Sequence, residues 1–132
     1  MIKAGILGGG QLGRMLLQEA ANYPVITHVM ENDMDCPAAK LCHHFVKGDI
    51  TRYEDVMQFG EGLDVLTIEI ENVNIEALFT LEEKGVKIIP RPVALQTIKN
   101  KILQKEFYQQ HEIPTAPFKI LSQRNELSAH TN

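Results

Sequence analysis

The chain has 132 residues, 44% of them hydrophobic and 23% charged, the make-up of a globular domain able to bury a core. A formal net charge of -4 argues against a general nucleic-acid or acidic-membrane binder. No apolar run approaches the roughly 20 residues of a membrane span, and Ile2 to Leu7 is too short, and too soon followed by glycines, for a secretory signal.

Strand and helix signals alternate. Ile2 to Leu7 is predicted as a strand, Gly8 to Gly10 as a turn, and Leu12, Met15, Leu16 and Ala20 as the apolar positions of a helix. Val25 to Met30 reads as a second strand, followed by the polar Glu31-Asn32-Asp33. Pro37 suits the first turn of a short helix through Ala38, Ala39, Leu41 and Cys42. Cys36 and Cys42 would face different ways there. They form no zinc or redox motif and read as two reduced thiols, with the cytoplasm as default compartment.

His44 to Lys47 is a short third strand. Thr51 and Glu54 have the spacing of a capping box, opening a helix over Val56, Met57 and Phe59 that Gly60 and Gly62 close. Val65 to Glu71 is a strand rich in β-branched residues. Asn74 caps a helix carrying Ile75, Leu78, Phe79 and Leu81, and Gly85 ends it. Val86 to Ile89 is a further strand, closed by Pro90-Arg91-Pro92.

This alternation predicts an α/β fold, a Rossmann-like parallel sheet with helices on both faces, whose ligands gather at the carboxyl ends of the strands. Beyond Pro92 the character changes. Thr97 to Gln110 is predicted as one helix carrying Lys99, Lys101 and Lys105, and Ile113-Pro114-Thr115-Ala116-Pro117 as extended chain. Phe118 to Leu121 begins a strand, while Ser122 to Asn132 is polar and offers it little to pair with. The organisation expected is a Rossmann-like domain over residues 1–92 and an incomplete second domain over 93–132.

The chemistry centres on Gly8, Gly10 and Gly13, a G-x-G-x-x-G between a strand and a helix. Glycines there let the backbone turn sharply, and the helix start offers N–H groups and a positive dipole to a phosphate. A dinucleotide fingerprint also wants an acid about 20 residues on, and Glu31 and Asp33 fit. Motif logic alone leaves a dinucleotide and another phosphorylated ligand both open. Glu69 and Glu71 alternate on the predicted strand, so their carboxylates share a face at the same rim. Arg14 sits close enough to the turn to meet a phosphate. His43-His44 is a poor metal pair, and His28, His111 and His130 stand isolated.

Gly8-Gly9-Gly10-Gln11-Leu12-Gly13-Arg14-Met15, Pro37-Ala38-Ala39, Glu69-Ile70-Glu71-Asn72-Val73 and Ile113-Pro114-Thr115-Ala116-Pro117, taken in this order and spacing, resemble the N5-carboxyaminoimidazole ribonucleotide synthases of the ATP-grasp superfamily. The similarity runs from Ile2 to about Leu121. It implies a pre-ATP-grasp domain that ends before the ATP-grasp core. Members of the family use ATP, with magnesium bridging its phosphates, and bicarbonate to form carboxyphosphate. That intermediate carboxylates the exocyclic amine of 5-aminoimidazole ribonucleotide in purine biosynthesis.

By that resemblance Gly10, Gln11, Leu12 and Arg14 line the ribonucleotide pocket. Glu71, ahead of Glu69, contacts the ribose or the amine. The family commonly carries Asp-Arg after the proline-rich link, where this chain has Asn100-Lys101, so Lys101 is expected to meet ATP as a point charge without an arginine's fork. The nucleotide-clamping lysine, the glycine-rich flap and the magnesium-binding acids of the family have no counterpart in these residues. The chain alone is therefore expected not to hydrolyse ATP, and the full-length enzyme to be a homodimer. A related ATP-grasp enzyme of purine synthesis stays open as an alternative, as does an NAD-binding or non-catalytic Rossmann domain using Glu31 or Asp33.

Overall fold

The computed structural model describes residues 1–123. Residues 124–132, which include most of the expected polar tail and His130, lie outside them. In chain order the elements are β1 (Ile2–Leu7), α1 (Gln11–Ala20), β2 (Val25–Glu31), β3 (His44–Lys47), α2 (Tyr53–Gly60), β4 (Val65–Ile68), α3 (Ile75–Glu83), β5 (Lys87–Ile89), α4 (Pro92–Lys99) and α5 (Lys101–Gln110). The five strands form one sheet in the order β3-β2-β1-β4-β5, every pairing parallel. The Rossmann-like expectation is met.

Period-two alternation along the strands divides the core. Leu7, Met30, Leu66 and Ile88 turn to the face covered by α2 and α3, joining Val56, Phe59, Leu78 and Leu81. Ile6 and Val29 turn the other way, toward Leu17 of α1 and Ala38. Each such large side chain, once buried, stabilises the fold by roughly 1.5–3 kcal/mol.

Several local expectations are corrected. Only Gly13 and Leu17 of α1 are buried, whereas Leu12, Met15 and Leu16 are exposed. The helix presses Gly13 to the strand, where a Cβ would stand 3.0 Å from the Gly8 carbonyl oxygen, and this contact sets which side faces inward. Pro37 to Leu41 forms turns rather than a helix. The Cys42 thiol there donates to the Ala39 carbonyl at 3.4 Å, burial pushes its pKa up, and both cysteines are free thiols.

The Thr51–Glu54 capping box does not form. Arg52 is the N-cap of α2, and the Thr51 hydroxyl donates instead to Asp49 at 2.6 Å. By contrast, Asn74 caps α3 as expected, its side-chain oxygen accepting the Ala77 N–H at 2.9 Å. Gly85, at φ +95, follows its C-terminus.

Two compact units divide the chain, Met1–Gln96 and the part from Thr97 onward. The single helix expected from Thr97 to Gln110 is broken at Asn100, whose side chain accepts the N–H groups of Ile102 and Leu103 at 2.9 and 3.3 Å. That bond competes with helix continuation and starts a new helix instead. In the second unit Lys105 donates to Thr115 at 2.7 Å and lies 5.4 Å from the Phe118 ring centroid. Phe118 to Leu121 forms no strand, for among the described residues none pairs with it.

Candidate functional site

The site is built where the sheet runs out. β1 pairs with β2 and β4 only as far as Leu7, and the last bonds there are Gly8 N–H to the Met30 carbonyl at 3.0 Å and Glu69 N–H to the Leu7 carbonyl at 2.8 Å. Gly8 then turns with φ +105, left-handed backbone that favours glycine. Gly10 is the N-cap of α1 and has no side chain with which to cap it.

A neighbour supplies the cap. Glu69 Oε2 accepts the Gly10 N–H at 3.0 Å, and Glu31 Oε2 accepts the Gly9 N–H at 3.1 Å. The other Glu31 oxygen accepts the Asn32 N–H at 2.8 Å. From below, Ala38 N–H donates to the Gly9 carbonyl at 3.0 Å. The turn is packed so closely that a Cβ on Gly9 would collide with the Cys36 sulfur, and one on Gly10 with the Glu69 carboxylate.

This arrangement alters the chemistry expected of the turn. Two N–H groups of the turn, those of Gly9 and Gly10, are each taken by a carboxylate, which stabilises the helix start electrostatically. A carboxylate has about four acceptor positions, so Glu69 keeps capacity for donors such as hydroxyls or an amine. Glu31, assigned in one reading to a dinucleotide ribose, is spent on the turn itself, and Asp33 Oδ1 accepts the nearby Asp35 N–H at 2.9 Å. The sequence signal for this role was an acid at the carboxyl end of the strand beside the turn.

Gln11, Leu12 and Arg14 occupy the first turns of α1 and are exposed. The paired-acid geometry is corrected. β4 ends at Ile68 because β1 and β5 offer no partner beyond Leu7 and Ile89, so Glu69 and Glu71 do not alternate on one strand. Glu69 folds back on the turn, half-buried, while Glu71 stands exposed in the following bend. Lys101 belongs to the second unit, where its ammonium reaches the Gln104 side-chain oxygen at 3.4 Å. Among the described residues no group of three or more His, Cys, Asp or Glu is placed to hold a metal ion, and no helix is long and apolar enough to cross a membrane.

The five-stranded parallel sheet that carries this turn has counterparts among known proteins. The ribonucleotide synthetase preATP-grasp domain matches residues 1–99. The chain belongs to that family.

Within it, the preATP-grasp chain is 36% identical over 118 residues to the N5-carboxyaminoimidazole ribonucleotide synthase of Saccharolobus solfataricus, covering 89% of this chain and 31% of that protein. The crystal structure of N5-carboxyaminoimidazole ribonucleotide synthetase from Thermotoga maritima superposes with a TM-score of 0.91 at 30% identity, over 100% of this chain and 37% of that one. The synthase from Aspergillus clavatus, solved in complex with ADP and 5-aminoimidazole ribonucleotide, gives a TM-score of 0.85 at 37% identity, over 97% and 35%. The preATP-grasp chain thus spans a third or less of the length of the curated relatives first matched.

Proposed function

We propose that this chain is the acceptor-holding first domain of an N5-carboxyaminoimidazole ribonucleotide synthase, an ATP-dependent ligase of purine biosynthesis in the cytoplasm. Residues 1–92 are its ribonucleotide-binding domain, and 93–132 the link and the start of the ATP-grasp domain. The observation that carries the reading is the Glu69 carboxylate held over Gly10 at the mouth of the turn. The names of the relatives supply the substrates, including 5-aminoimidazole ribonucleotide and ADP in one solved complex.

In this reading Glu69, with Glu71 beside it, accepts hydrogen bonds from the ribose hydroxyls or the amine of the acceptor. Gly10, Gln11 and Leu12 form the wall, and Arg14 meets the 5′-phosphate with its guanidinium, beside a turn whose Gly9 and Gly10 N–H groups are taken. The reaction joins the acceptor's exocyclic nitrogen to a carboxyl carbon derived from bicarbonate and activated by ATP. What this domain contributes is placement of the nitrogen and exclusion of water, not proton transfer. Lys101 is a point charge for an ATP phosphate. Magnesium, when bound, neutralises the nucleotide phosphates, and its ligands belong to the ATP-grasp core of the longer relatives. The full-length enzyme is a homodimer, and this chain alone does not turn over ATP.

Calorimetric titration of the chain with 5-aminoimidazole ribonucleotide and, separately, with NAD tests the reading. Saturable binding of the ribonucleotide without an NAD response supports it; NAD saturation without a ribonucleotide response overturns it.

A further inference from the structure

The junction between β2 and β3 carries three histidines that the site does not use. His43 lies just before β3, and both main-chain polar groups of Thr27 are bonded to it. The Thr27 carbonyl accepts the His43 N–H at 3.1 Å, and the Thr27 N–H donates to His43 Nδ1 at 3.1 Å. A main-chain N–H can only donate, so Nδ1 is the acceptor in that bond. The Thr27 hydroxyl completes the clasp, 2.8 Å from Nδ1, and accepts the His43 N–H at 3.2 Å. Here a side chain occupies the ladder position one step before the edge strand begins.

On the opposite face of the same junction, His28 and His44 are register partners, and their rings stack at 4.6 Å between centroids. His28 Nε2 is buried without a hydrogen-bond partner. A cavity of about 380 Å³ adjoins it, with Lys47 of β3 and Asp55 and Gln58 of α2 on its wall. Asp55 does not offer His28 a free counter-charge. Its Oδ2 accepts the Asp49 N–H at 2.9 Å, and its Oδ1 lies 3.8 Å from Arg52. The other titratable side chains beside His28 are Lys3 of β1, Lys47, His43 and His44.

We propose that the stacked His28–His44 pair makes acid-sensitive the clasp that holds edge strand β3 and the preceding segment of residues 32–43 to the sheet. A proton on His28 places charge against a second imidazole, while Asp55 on the cavity wall is already engaged with Asp49 and Arg52. Burial first, then His44, Lys3 and His43, hold the His28 pKa below the usual histidine range. A histidine depressed in the folded state contributes stability that is present above its ordinary pKa and is lost as the pH falls toward the lowered one, so the clasp weakens on acidification.

The clasp reaches the glycine turn. Ala38, within the clasped segment, donates to the Gly9 carbonyl, and Gly48, directly after β3, donates to the Glu31 carbonyl at 3.2 Å. Releasing β3 frees the support behind Gly9 and Glu31 together. The inference stands whichever ligand the turn takes.

Amide hydrogen exchange of the whole chain at about pH 7.5 and about pH 5.5, compared as protection factors, tests it on either side of ordinary histidine titration. Protection across His44–Lys47 should fall at the lower pH while that of Ile6 and Leu66 holds. His28→Asn, which cannot gain the proton's charge, should retain most of the protection at the lower pH. Equal protection at both pH values, loss spread evenly over the sheet, or a His28→Asn chain as acid-sensitive as the parent would each overturn the clasp. Should that variant not fold, a nitrogen–proton titration of the parent's imidazoles decides: a His28 midpoint below the ordinary histidine range supports it, and an ordinary or raised midpoint refutes it.

Discussion

Glu69 caps a helix to which it does not belong: its Oε2 accepts the N–H of Gly10, 59 residues earlier in the chain, at 3.0 Å. The bond ties the end of β4 to the start of α1, so the acid that ends one strand is set against the turn that ends another. Glu69→Ala should cost about 1 kcal/mol of stability, as loss of an N-cap does. It should also weaken ribonucleotide binding by roughly tenfold or more, the scale of a lost hydrogen bond to a charged group. Thermal melts and calorimetry on one preparation check both, and unchanged affinity would remove Glu69 from the site.

Gly10→Val is the complementary test. The new side chain would occupy the space of the Glu69 carboxylate, whose nearer oxygen it would strike. Overpacking of this kind costs roughly 1–3 kcal/mol. The variant should still fold and lose ribonucleotide binding. A variant that binds as tightly as the parent would show that the ligand does not approach the turn.

Much of this arrangement is legible in the residues. The alternation of Ile6 with Leu7 and of Val29 with Met30 announces a sheet covered on both faces, and Gly8 to Gly13 marks the turn. What the residues do not reveal is where pairing stops. Glu69 to Glu71 continues the alternating pattern of β4, yet β1 has already left the sheet at Gly8, so the ladder ends for want of a partner. Local competition is equally hidden. Thr51 has the spacing of a capping box, but Asp49 is a closer partner for its hydroxyl, and Asn100 ends one helix by starting the next. The stacking of His28 on His44 depends on register between two strands 16 residues apart, which no local pattern specifies.

Thr51→Val isolates that competition. Asp49 is held below the usual carboxylate range by the Thr51 hydroxyl first and the Thr51 N–H second, at 2.6 and 2.8 Å. Removing the hydroxyl should move the Asp49 titration upward, toward its ordinary value. In the parent, the contribution of this lowered carboxyl is present above the ordinary range and is lost as the pH falls through its folded pKa. Carbon-detected titration of the Asp49 side chain would show the shift, and an unmoved midpoint would contradict the cause given.

Leu81→Ala probes the face beneath α2 and α3. Leu81 is fully buried, and its methyl groups fill the space over Gly60. The substitution should cost about 2–5 kcal/mol, measured by urea unfolding with the slope unchanged. A loss under about 1 kcal/mol would mean that the site collapses around the gap.

The central claim is that the turn beside Glu69 receives the acceptor nucleotide. Nitrogen–proton spectra of the labelled chain, recorded while 5-aminoimidazole ribonucleotide is added, test it most directly. The account predicts saturable shifts at the amides of Gly9, Gly10, Gln11 and Glu69, reduced in Glu69→Ala. Shifts confined to the cavity of Lys47 and Asp55, or the same turn amides responding to NAD and not to the ribonucleotide, would contradict it.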